Sequence, residues 1–591
     1  MTAALKTRPA ERPLSPLHRI AARLDEVPAA ARKRLVEAGD ALTDGDFARA
    51  ESLAAAALPE GASLALRLIG LVRERAGALP QAFEALRQAH LEAPGDPDGV
   101  RDLARLARRM GQPALAADLL ARVRAACPGD LADAQDLAAV LRDLDRCDEA
   151  LVIVREAMAD APKAPHLWSL LGSIAAQKGD DADARVFHDE ALRLAPREVP
   201  ILANAALARL DVGDAAAARE ACDAALAARP TPPQAAAVRL ARATARLCLG
   251  DLGGWDDYAA RLAPERREAL AFDIPAPRWT PDLPLPGLSL LLVSEQGLGD
   301  EVMFGSIIGD ALAALGPSGR LTLAVEPRLV PLFARAWPGV RVIGHATTSL
   351  AGRLRRTVPD AGPVQAWAPL GDLLPLLRGT LESFGDAKPF FAPDPARVEH
   401  WRGWLSRLPP GRKIGILWRS GLMAGLRSRR FAPFEAWTPV LATPGAVFVN
   451  LQYGDAEPDL ARAQTQGLTI HRPPNLDLMQ ELEGVAALCQ ALDLVIGPPT
   501  ATTNIAAALG AETWIVSANP NWPALGTAGY PWYPAVRAFQ PDGTAWEARL
   551  EAVARALSES SLSERGRGPP RSGGRVRGFT AGRGNPHLCV V

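Results

Sequence analysis

The sequence predicts two unlike modules, an N-terminal solenoid of helical repeats and a C-terminal α/β module. Prolines recur every 34 residues in the first half of the chain, and short apolar runs alternate with helical stretches after residue 288. A proline-rich segment separates the two patterns. A fixed period indicates stacked repeats, whereas strand–helix alternation indicates parallel sheets covered by helices.

The repeat is defined by small residues and prolines that keep one phase over five units. They are Pro94, Pro128, Pro162, Pro196 and Pro230, then Ala82, Ala116, Ala150, Ala184 and Ala218, and Gly77, Gly111, Gly179 and Gly213. Alanine lets two helices approach closely, glycine permits the turn between them, and proline ends the second helix. A 34-residue period of this kind is typical of tetratricopeptide (TPR) repeats, so we predict a protein-binding solenoid.

Changes in composition divide the chain into segments. We predict a flexible N-terminus (1–30), a TPR solenoid of about six to seven repeats (31–271), a proline-rich linker (272–287), an N-terminal Rossmann-like half (288–395), a C-terminal Rossmann-like half (396–557), and a disordered tail rich in arginine and glycine (558–591). Two such halves facing a cleft form the GT-B arrangement, in which the ligand lies between the carboxyl ends of strands.

Composition excludes several classes of protein. The 66 basic residues balance 67 acidic ones, which argues against a dedicated nucleic-acid binder. The sequence contains neither an apolar run long enough to cross a membrane nor a signal-peptide pattern, so we expect no membrane span and a cytoplasmic protein. The six cysteines form no C-x-x-C pair, and we expect them to be reduced, with no metal site and no cofactor.

The first candidate for chemistry is the turn after the apolar run 288–294, with Gly297, Gly299 and Asp300. A dinucleotide fingerprint would require glycine or alanine where Val302 stands. A carboxylate at the mouth of a cleft suits a general base, so we propose Asp300, or secondarily Glu301, as the catalytic residue. The alternative is that Asp300 only caps the following helix.

Two further candidates lie in the C-terminal half. Arg419, Ser420 and Gly421 follow the apolar run 413–418, and a loop with Arg427, Arg429 and Arg430 comes next. These guanidinium groups could clamp a phosphate, or they could form a solvated basic loop.

The segment after the apolar run 492–497 carries the donor-site candidates Thr500, Thr502, Thr503 and Asn504, with Gln452 and Tyr453 at the end of a neighbouring run. Hydroxyl groups at a helix N-terminus cap the helix or bind a leaving phosphate.

Several stretches together resemble a known family. They are EQGLGDEVMF, KIGILWRSG, FVNLQYGD, LDLVIGPPTATTNIAAALGAETWIV and PWYPAVRAF. The second half of the chain resembles bacterial TPR-containing glycosyltransferases related to heptosyltransferase-like GT-B enzymes, and in particular the flagellin-modifying FlmG/FlbA type. The resemblance implies that the half 288–395 is on the acceptor side and the half 396–557 on the nucleotide-sugar side. It also implies that Asp300 is the base and that Thr500 lies beside the donor phosphates.

This chain departs from the family pattern at two positions. Pro499 and Asn504 stand where the family's D-T-x-x-x-H element has aspartate and histidine. Either the donor differs from the usual nucleotide-diphosphate sugar, for example a CMP-linked acid, or the module has lost activity.

The solenoid groove is expected to hold the partner. By position within the repeats, Arg101, Arg105 and Arg108 face the groove at one end, and Leu207 and Leu210 face it further along. We therefore predict a groove that is basic at one end and apolar at the other, unless the arginines are merely solvated.

Three hypotheses for the function follow. The first is a protein O-glycosyltransferase that attaches a nucleotide-activated sugar, such as CMP-nonulosonic acid, to Ser or Thr of flagellin and is needed for flagellum assembly. The second is a non-catalytic TPR adaptor or flagellin-binding regulator. The third is a transferase that acts on a lipid-linked sugar.

Overall fold

A computed structural model describes residues 15–266, 268–350, 353–421, 429–518, 522–540 and 545–566. The N-terminal part of the chain is helical, and parallel sheets with covering helices follow. The predicted sequence of helical repeats and then an α/β module is therefore confirmed. The predicted Arg427 lies outside the described residues.

The first part consists of helices in pairs. They are α1 (Pro16–Ala22), α2 (Ala29–Asp44), α3 (Phe47–Ala56), α4 (Leu58–Arg75), α5 (Leu79–Glu92), α6 (Pro97–Arg109), α7 (Pro113–Ala126), α8 (Leu131–Asp143), α9 (Cys147–Asp160), α10 (Pro165–Lys178), α11 (Asp181–Leu194), α12 (Val199–Asp211), α13 (Ala215–Ala227), α14 (Pro232–Cys248) and α15 (Gly254–Tyr258). From α2 on, each even-numbered helix packs against the odd-numbered helix that follows it, and most also pack against the next even-numbered helix; α6 and α8 are joined by the ion pair between Arg101 and Asp133. The even-numbered helices therefore form a continuous layer, called the inner layer below.

The turns between paired helices explain the repeated glycines. Gly77, Gly111 and Gly213 have φ angles of 84°, 77° and 84°, a left-handed conformation that glycine adopts at little cost. The unit that lacks this glycine has Asp145 at the same place, with φ 64°. Aspartate is among the residues that tolerate this region, so the period of the backbone continues where the period of the sequence is interrupted.

The structure corrects two expectations at the ends of the chain. The predicted flexible segment 1–30 contains α1 and a 3₁₀ turn at Leu24–Glu26. The predicted tail from residue 558 is helical at its start, because the last helix ends at Gly566. The rest of that tail lies outside the described residues.

The second part is built from short strands, which pair in parallel except for β5 and β6. They are β1 (Ala271–Asp273), β2 (Ser289–Val293), β3 (Arg320–Val325), β4 (Arg341–Gly344), β5 (Ala346–Leu350), β6 (Arg353–Thr357), β7 (Ala366–Pro369), β8 (Arg412–Ile416), β9 (Ala446–Asn450), β10 (Ile470–His471), β11 (Leu494–Gly497), β12 (Thr513–Val516) and β13 (Val536–Phe539). The helices among them are α16 (Leu298–Phe304), α17 (Ile308–Leu315), α18 (Val330–Ala336), α19 (Leu374–Leu377), α20 (Pro395–Leu405), α21 (Thr438–Leu441), α22 (Glu457–Thr465), α23 (Leu482–Ala491), α24 (Ala501–Ala508) and α25 (Trp546–Gly566).

The strand orders place the predicted loops at two switch points. One sheet has the order β4-β3-β2-β7, and the other has the order β10-β9-β8-β11-β12-β13; the pairings within both are parallel. The chain direction across the sheet reverses at β2 in the first sheet and at β8 in the second. Ligands of parallel sheets bind beyond the carboxyl ends of strands at such points. A third, small sheet, β1-β6-β5, includes residues of the predicted linker.

One hydrophobic core joins the end of the solenoid to both sheets. Trp255 and Tyr258, from the last solenoid helix, pack with Phe304, Trp522 and Trp532, and the ring centroids lie 5.7–6.4 Å apart. Aromatic pairs at such distances add to the stabilisation from buried area. The solenoid is therefore joined to the α/β module by packing and not by the chain alone. In the described part of the chain, no helix has the length and apolarity needed to cross a membrane.

The burial of the cysteines in the solenoid and in the α/β module provides a first test of the fold. Cys222 and Cys489 are fully buried, and burial raises the pKa of each thiol to about 12, whereas Cys127 is half-buried. Thiolate is the reactive form, so we expect iodoacetamide at pH 8 to alkylate Cys127 in the native protein and to spare Cys222 and Cys489. Peptide mass spectrometry before and after unfolding in urea measures this difference. Equal labelling of the three in the native protein would contradict the buried placement.

Candidate functional site

The turn after β2 begins with a strained residue and leads directly into α16. Gln296 has a φ of 65°, and Gly297 is the N-cap of α16. The backbone N–H of Asp300 donates to the carbonyl oxygen of Gly297 at 3.0 Å. Asp300 therefore lies in the first turn of the helix and is not its cap, so the alternative reading of Asp300 as an N-cap is wrong.

Gly299 lies against the beginning of α24. A Cβ atom at position 299 would be 3.1 Å from Nδ2 of Asn504 and 3.5 Å from the backbone N of Ala501. A Cβ atom here would press on the Asn504 side chain, which would have to move by a few tenths of an ångström, and would be in ordinary van der Waals contact with the backbone of α24. The turn from the first sheet and the helix start from the second, which were separate candidates in the sequence, are thus in direct contact.

The N-terminus of α24 presents a buried hydroxyl group. Thr500 is 7 % exposed and is the N-cap of α24, where it forms a capping box with Thr503, yet its Oγ1 makes no hydrogen bond of normal geometry among the described residues. The Thr503 hydroxyl accepts the Thr500 N–H at 2.9 Å and donates to the Pro498 carbonyl oxygen at 2.8 Å. Thr502 is also buried. Since the first N–H groups of a helix have no partner within it, Thr500 and these N–H groups together suit an anionic oxygen.

Asn504 is held from both sides of its amide. Its Nδ2 donates to the Thr500 carbonyl oxygen at 2.8 Å, and its Oδ1 accepts the Tyr533 hydroxyl at 2.6 Å. The Asn504 amide therefore fixes the shape of the helix start. Its hydrogen bonds do not support a direct role of Asn504 in binding the donor. Tyr533 lies in the stretch PWYPAVRAF, one of those that carry the family resemblance. The sequence did not predict that its hydroxyl would bind Asn504.

Two buried phenols lie near the Asp300 carboxylate. Burial and, after it, the charge of Asp300 raise the pKa of Tyr533 well above its ordinary value. Burial also raises the pKa of Tyr258; Arg261 opposes this rise, and Asp300 adds to it. Asp300 thus lies among Gly297, Tyr258 and Tyr533, where residues of the solenoid end and of both sheets meet.

Glu301 does not suit the predicted catalytic role. It is 2 % exposed, its Oε2 accepts the Glu326 N–H at 2.9 Å, and its Oε1 lies 3.3 Å from Nε2 of His345. Arg356 is 3.6 Å from the same Oε1. Both oxygens are therefore engaged inside the first half of the module, and the prediction of Glu301 as a second base is wrong.

A solenoid residue braces the turn that carries Asp300. Arg261 lies in the 3₁₀ turn after α15, and its Nη2 donates to Oε1 of Glu295 at 2.5 Å and to Oδ1 of Asp372 at 2.8 Å. The Gly371 N–H donates to the same Glu295 oxygen at 3.0 Å. Because Glu295 directly precedes the strained Gln296, the solenoid end helps to set the position of the turn.

The predicted phosphate clamp after β8 is engaged within the protein. Arg419 pairs with Asp459 at 3.4 Å and donates to the carbonyl oxygen of Asp455. Gln452 is 2 % exposed, and its Oε1 accepts the N–H groups of Trp418 and Arg419 at 3.0 and 2.9 Å. Gln452 therefore braces two neighbouring strand ends, and these hydrogen bonds do not support its predicted role in donor binding.

The other residues predicted at this edge lie close together. Ser420 is buried, Gly421 is exposed, and a Cβ atom at Gly421 would be 3.1 Å from the ring of Tyr453. Since β8 lies between β9 and β11, the loops after these three strands meet at one edge of the sheet. Ser420, Gly421, Tyr453 and Thr500 are thus on the same side of the C-terminal half.

The basic loop beyond them contacts the solenoid. Arg429 pairs with Asp181 at 2.9 Å and donates to the Ala176 carbonyl oxygen, and Arg430 pairs with Asp211 at 3.3 Å. The predicted phosphate clamp is not supported for these two arginines, because both pair with acidic residues of the solenoid. The Arg429 side chain is 28 % exposed, whereas that of Arg430 is 66 % exposed and thus still largely solvated, as the alternative predicts. The two arginines connect the C-terminal half to α10, α11 and α12 of the solenoid.

The groove arginines are also paired. Arg101 binds Asp133 at 2.6 Å, Arg105 binds Glu74 at 2.5 Å, and Arg108 binds Asp143 at 2.8 Å. The acidic partners come from neighbouring helices of the inner layer, which the sequence pattern of a single helix cannot show. The prediction of a basic groove end available to an acidic partner is therefore wrong for these residues.

A cavity lies further along the inner layer. It has a volume of about 480 Å³ and is lined by residues of α8, α10 and α12, which include Gln177, Asn204, Leu207 and Asp211, and by His188 of α11. Leu207 is 51 % exposed, and Leu210 is partly buried in the core of the next repeats. Arg430 lies beside this cavity through its pair with Asp211, so the cavity borders the C-terminal half.

The arrangement has polar groups for an anion and a carboxylate for proton transfer. Thr500 and the α24 N-terminus provide the first, and Asp300 provides the second. Over the residues that the structure describes, no group of three or more His, Cys, Asp or Glu side chains is placed to hold a metal ion.

Comparisons with known proteins give one full-length match. Protein FlbA of Caulobacter vibrioides is 42 % identical over 539 residues, which span 90 % of this chain and 90 % of that protein. No family model matches the chain. A tetratricopeptide repeat protein from Parabacteroides merdae is 14 % identical, with a TM-score of 0.36, and covers 40 % of this chain and 94 % of its own. A thermophilic TPR protein from Thermus thermophilus is 23 % identical, with a TM-score of 0.27, and covers 30 % of this chain and 96 % of its own.

Proposed function

This chain belongs to the family of Protein FlbA, and from this membership and the site geometry we propose that it is a protein O-glycosyltransferase of the GT-B type acting on flagellin. The observation that carries the proposal is the contact between Gly299 and the first turn of α24. This contact unites the two elements to which the sequence resemblance assigns the catalytic base and the donor phosphate. A nucleotide-activated sugar is the co-substrate.

In the proposed reaction, a Ser or Thr hydroxyl of the acceptor attacks the anomeric carbon of the sugar. Asp300 takes the hydroxyl proton, which makes the oxygen a better nucleophile. The bond between the sugar and the nucleotide phosphate breaks, and the phosphate leaves with the bonding electrons. The N-terminus of α24 and the hydroxyl of Thr500 stabilise the negative charge that develops on that phosphate.

The solenoid contributes binding in this proposal. An acceptor held on the inner layer near the cavity at Leu207 is next to the C-terminal half, because Arg430 pairs with Asp211 in the wall of the cavity. Tethering raises the effective concentration of the acceptor at the site to the millimolar range. The flagellin, nucleotide-sugar and cytoplasmic assignments are parts of the same proposal.

A non-catalytic adaptor is the second candidate function. It is favoured by the engagement of Arg419 with Asp459 and of Gln452 with backbone N–H groups, which leaves fewer polar side chains for a donor. It is also favoured by Pro499 and Asn504, which stand where the family has aspartate and histidine. In that case the solenoid would bind the partner protein, and the α/β module would serve only as a binding domain without catalysis.

The mass of flagellin distinguishes the two functions. We expect flagellin from cells with the wild-type chain to exceed its sequence mass by a multiple of one sugar mass, and flagellin from cells without the chain to have the sequence mass. Intact-protein mass spectrometry measures both. A Thr500→Val variant, which keeps the shape but removes the hydroxyl, should lower the modified fraction, because the leaving phosphate loses a hydrogen bond.

Two controls complete the experiment. A Thr438→Val variant removes a hydroxyl of α21, which lies in the same half and donates to the Glu435 carbonyl oxygen, and it should leave the flagellin mass unchanged. Equal flagellin masses with and without the chain would refute modification of flagellin. A mass shift that needs the chain but survives both Thr500→Val and Asp300→Asn would favour the adaptor.

A further inference from the structure

The N-terminal helix α1 lies on the inner layer of the solenoid. It packs against α4 and α6, which are the first helices of two adjacent pairs. A cap at the end of a solenoid would instead pack on the terminal pair, α2 and α3. The first helix of the chain therefore occupies the part of the groove formed by α4 and α6.

Below α1 are two buried carboxylates that share one buried arginine. Asp96 and Asp102 are 7 % and 1 % exposed, and Arg67 between them is 0 % exposed. Nη1 of Arg67 is 3.2 Å from Oδ2 of Asp96, and Nη2 is 2.9 Å from Oδ2 of Asp102. Arg67 thus contacts one oxygen of each carboxylate. Its single positive charge balances only one of the two negative charges of Asp96 and Asp102.

Two arginines of the N-terminal segment contact the remaining oxygens. Nη2 of Arg19 is 2.5 Å from Oδ1 of Asp102, and Nη1 of Arg23 is 2.5 Å from Oδ1 of Asp96. Arg19 also lies 3.6 Å from Asp98. With α1 in place the two carboxylates are buried, and Arg19 and Arg23 balance the negative charge that Arg67 leaves, while the Asp98 N–H also donates to Asp96. This part of the groove therefore favours a cationic occupant.

Apolar contacts accompany the charge pairs. Ile20 and Leu24 are 2 % and 8 % exposed and belong to the core cluster that contains Leu64 and Leu68 of α4. The occupant is thus recognised by a short pattern, Arg19-Ile20-x-x-Arg23-Leu24, in which each arginine is followed by an aliphatic residue. A spacing of four residues places both arginines on one face of a helix.

We propose that residues 15–27 are a displaceable intramolecular ligand of the groove, and that the site at Asp96 and Asp102 also binds a partner helix with two arginines four residues apart, each followed by an aliphatic residue. The acidic pair selects the arginines, and the surface of α4 selects the aliphatic side chains. The N-terminal segment then competes with the partner and keeps this part of the groove closed in its absence. This proposal does not depend on the reaction of the α/β module.

The size of α1 makes displacement feasible. It has seven residues, and isolated helices of fewer than about twelve residues are marginal in water, so its order depends on the groove. Its short connection to α2 gives it an effective concentration in the millimolar range. A partner helix must therefore bind the groove more favourably than α1 does at that effective concentration, which sets a minimum affinity for the partner.

The first test uses a fluorescein-labelled peptide with the sequence of residues 15–27 and the full-length chain. We expect weak binding to the wild-type protein and at least tenfold tighter binding to the Arg19→Ser/Arg23→Ser variant, whose own helix no longer competes. Adding Asp102→Asn to that variant should reverse the gain. Fluorescence anisotropy measures each dissociation constant.

The control variant is Arg87→Ser/Arg146→Ser, which removes two exposed arginines that pair within their own helices. It should bind the peptide as weakly as the wild type does. Equal peptide binding by the Arg19→Ser/Arg23→Ser variant and the wild type would overturn the proposal.

The second test needs no variant. We expect the amides of residues 19–22 in the wild-type chain to exchange with deuterium at least 100-fold faster than those in the middle of α4, because α1 detaches without unfolding of the solenoid. Exchange of α1 at the rate of α4 would identify α1 as a fixed part of the fold and would also overturn the proposal.

Discussion

Replacing Asp300 with Asn is expected to lower the rate of sugar transfer to flagellin by about 10²- to 10⁴-fold, the usual contribution of a general base. The substitution keeps the shape of the side chain and removes its ability to accept a proton. Folding should be little affected, because Gly297 and not Asp300 is the N-cap of α16. The loss of a negative charge in the first turn of a helix costs about 0.3–1 kcal/mol.

The measurement is the initial rate of transfer with purified flagellin and a nucleotide-activated nonulosonic acid. Binding of flagellin to the chain is measured in parallel and should be unchanged. Asp282→Asn, which neutralises an exposed carboxylate in the linker, should retain the wild-type rate. A wild-type rate for Asp300→Asn would exclude Asp300 as the base, whereas no transfer by any variant or by the wild type would refute the enzyme itself.

The neighbouring substitution Glu301→Gln distinguishes catalysis from stability. Glu301 accepts a backbone N–H and lies beside His345 and Arg356, all inside the first half of the module. Its replacement should therefore lower the unfolding temperature. Any loss of transfer should follow the loss of folded protein.

The elements of this fold could be predicted because they leave local traces in the sequence. The 34-residue period fixes the helix pairs, and the glycines at Gly77, Gly111 and Gly213 mark turns that need a positive φ. The turn at Gly299 and the helix start at Thr500 were identified separately as candidates. Their direct contact could not be predicted, because it depends on how two sheets pack.

The predictions from sequence that were wrong concern polar side chains whose partners are distant in the sequence. Arg419 and Gln452 were expected to face a ligand, yet Asp459 and the backbone of Trp418 engage them. Arg105 was expected to bind a partner protein and instead pairs with Glu74. A sequence shows that a charge exists, but the partner of that charge depends on which helices are neighbours in the fold. Glu74, the partner of Arg105, is 31 residues away in the sequence.

The helix α1 was missed for the same reason. It is too short to show a period, and its arginines are stabilised by Asp96 and Asp102, which belong to the third pair of helices. Composition alone indicated flexibility. The order of this segment is a tertiary effect, and this is also why we infer that it can be displaced.

Replacing Gly526 with Ala is expected to loosen the junction between the solenoid and the C-terminal half. Gly526 has a φ of 71°, and a Cβ atom there would lie 2.6 Å from the backbone N of Gly250 at the end of the solenoid. A left-handed alanine costs about 1–2 kcal/mol, and a clash with backbone that cannot rotate away costs about 1–3 kcal/mol more. We therefore expect a loss of about 3 kcal/mol at this junction.

The chain offers a matched control in the same loop. Gly529→Ala adds the same atom where no other atom lies within 4 Å, so it should leave the melting curve unchanged. Scanning calorimetry should show that Gly526→Ala, unlike Gly529→Ala, lowers the transition of the α/β module and separates it from that of the solenoid. An unchanged thermogram for Gly526→Ala would mean that the two modules do not stabilise each other through this contact. Since Trp255, Tyr258 and Arg261 reach the site from the same end of the solenoid, a loosened junction should also displace the Asp300 turn and slow transfer without weakening the capture of flagellin.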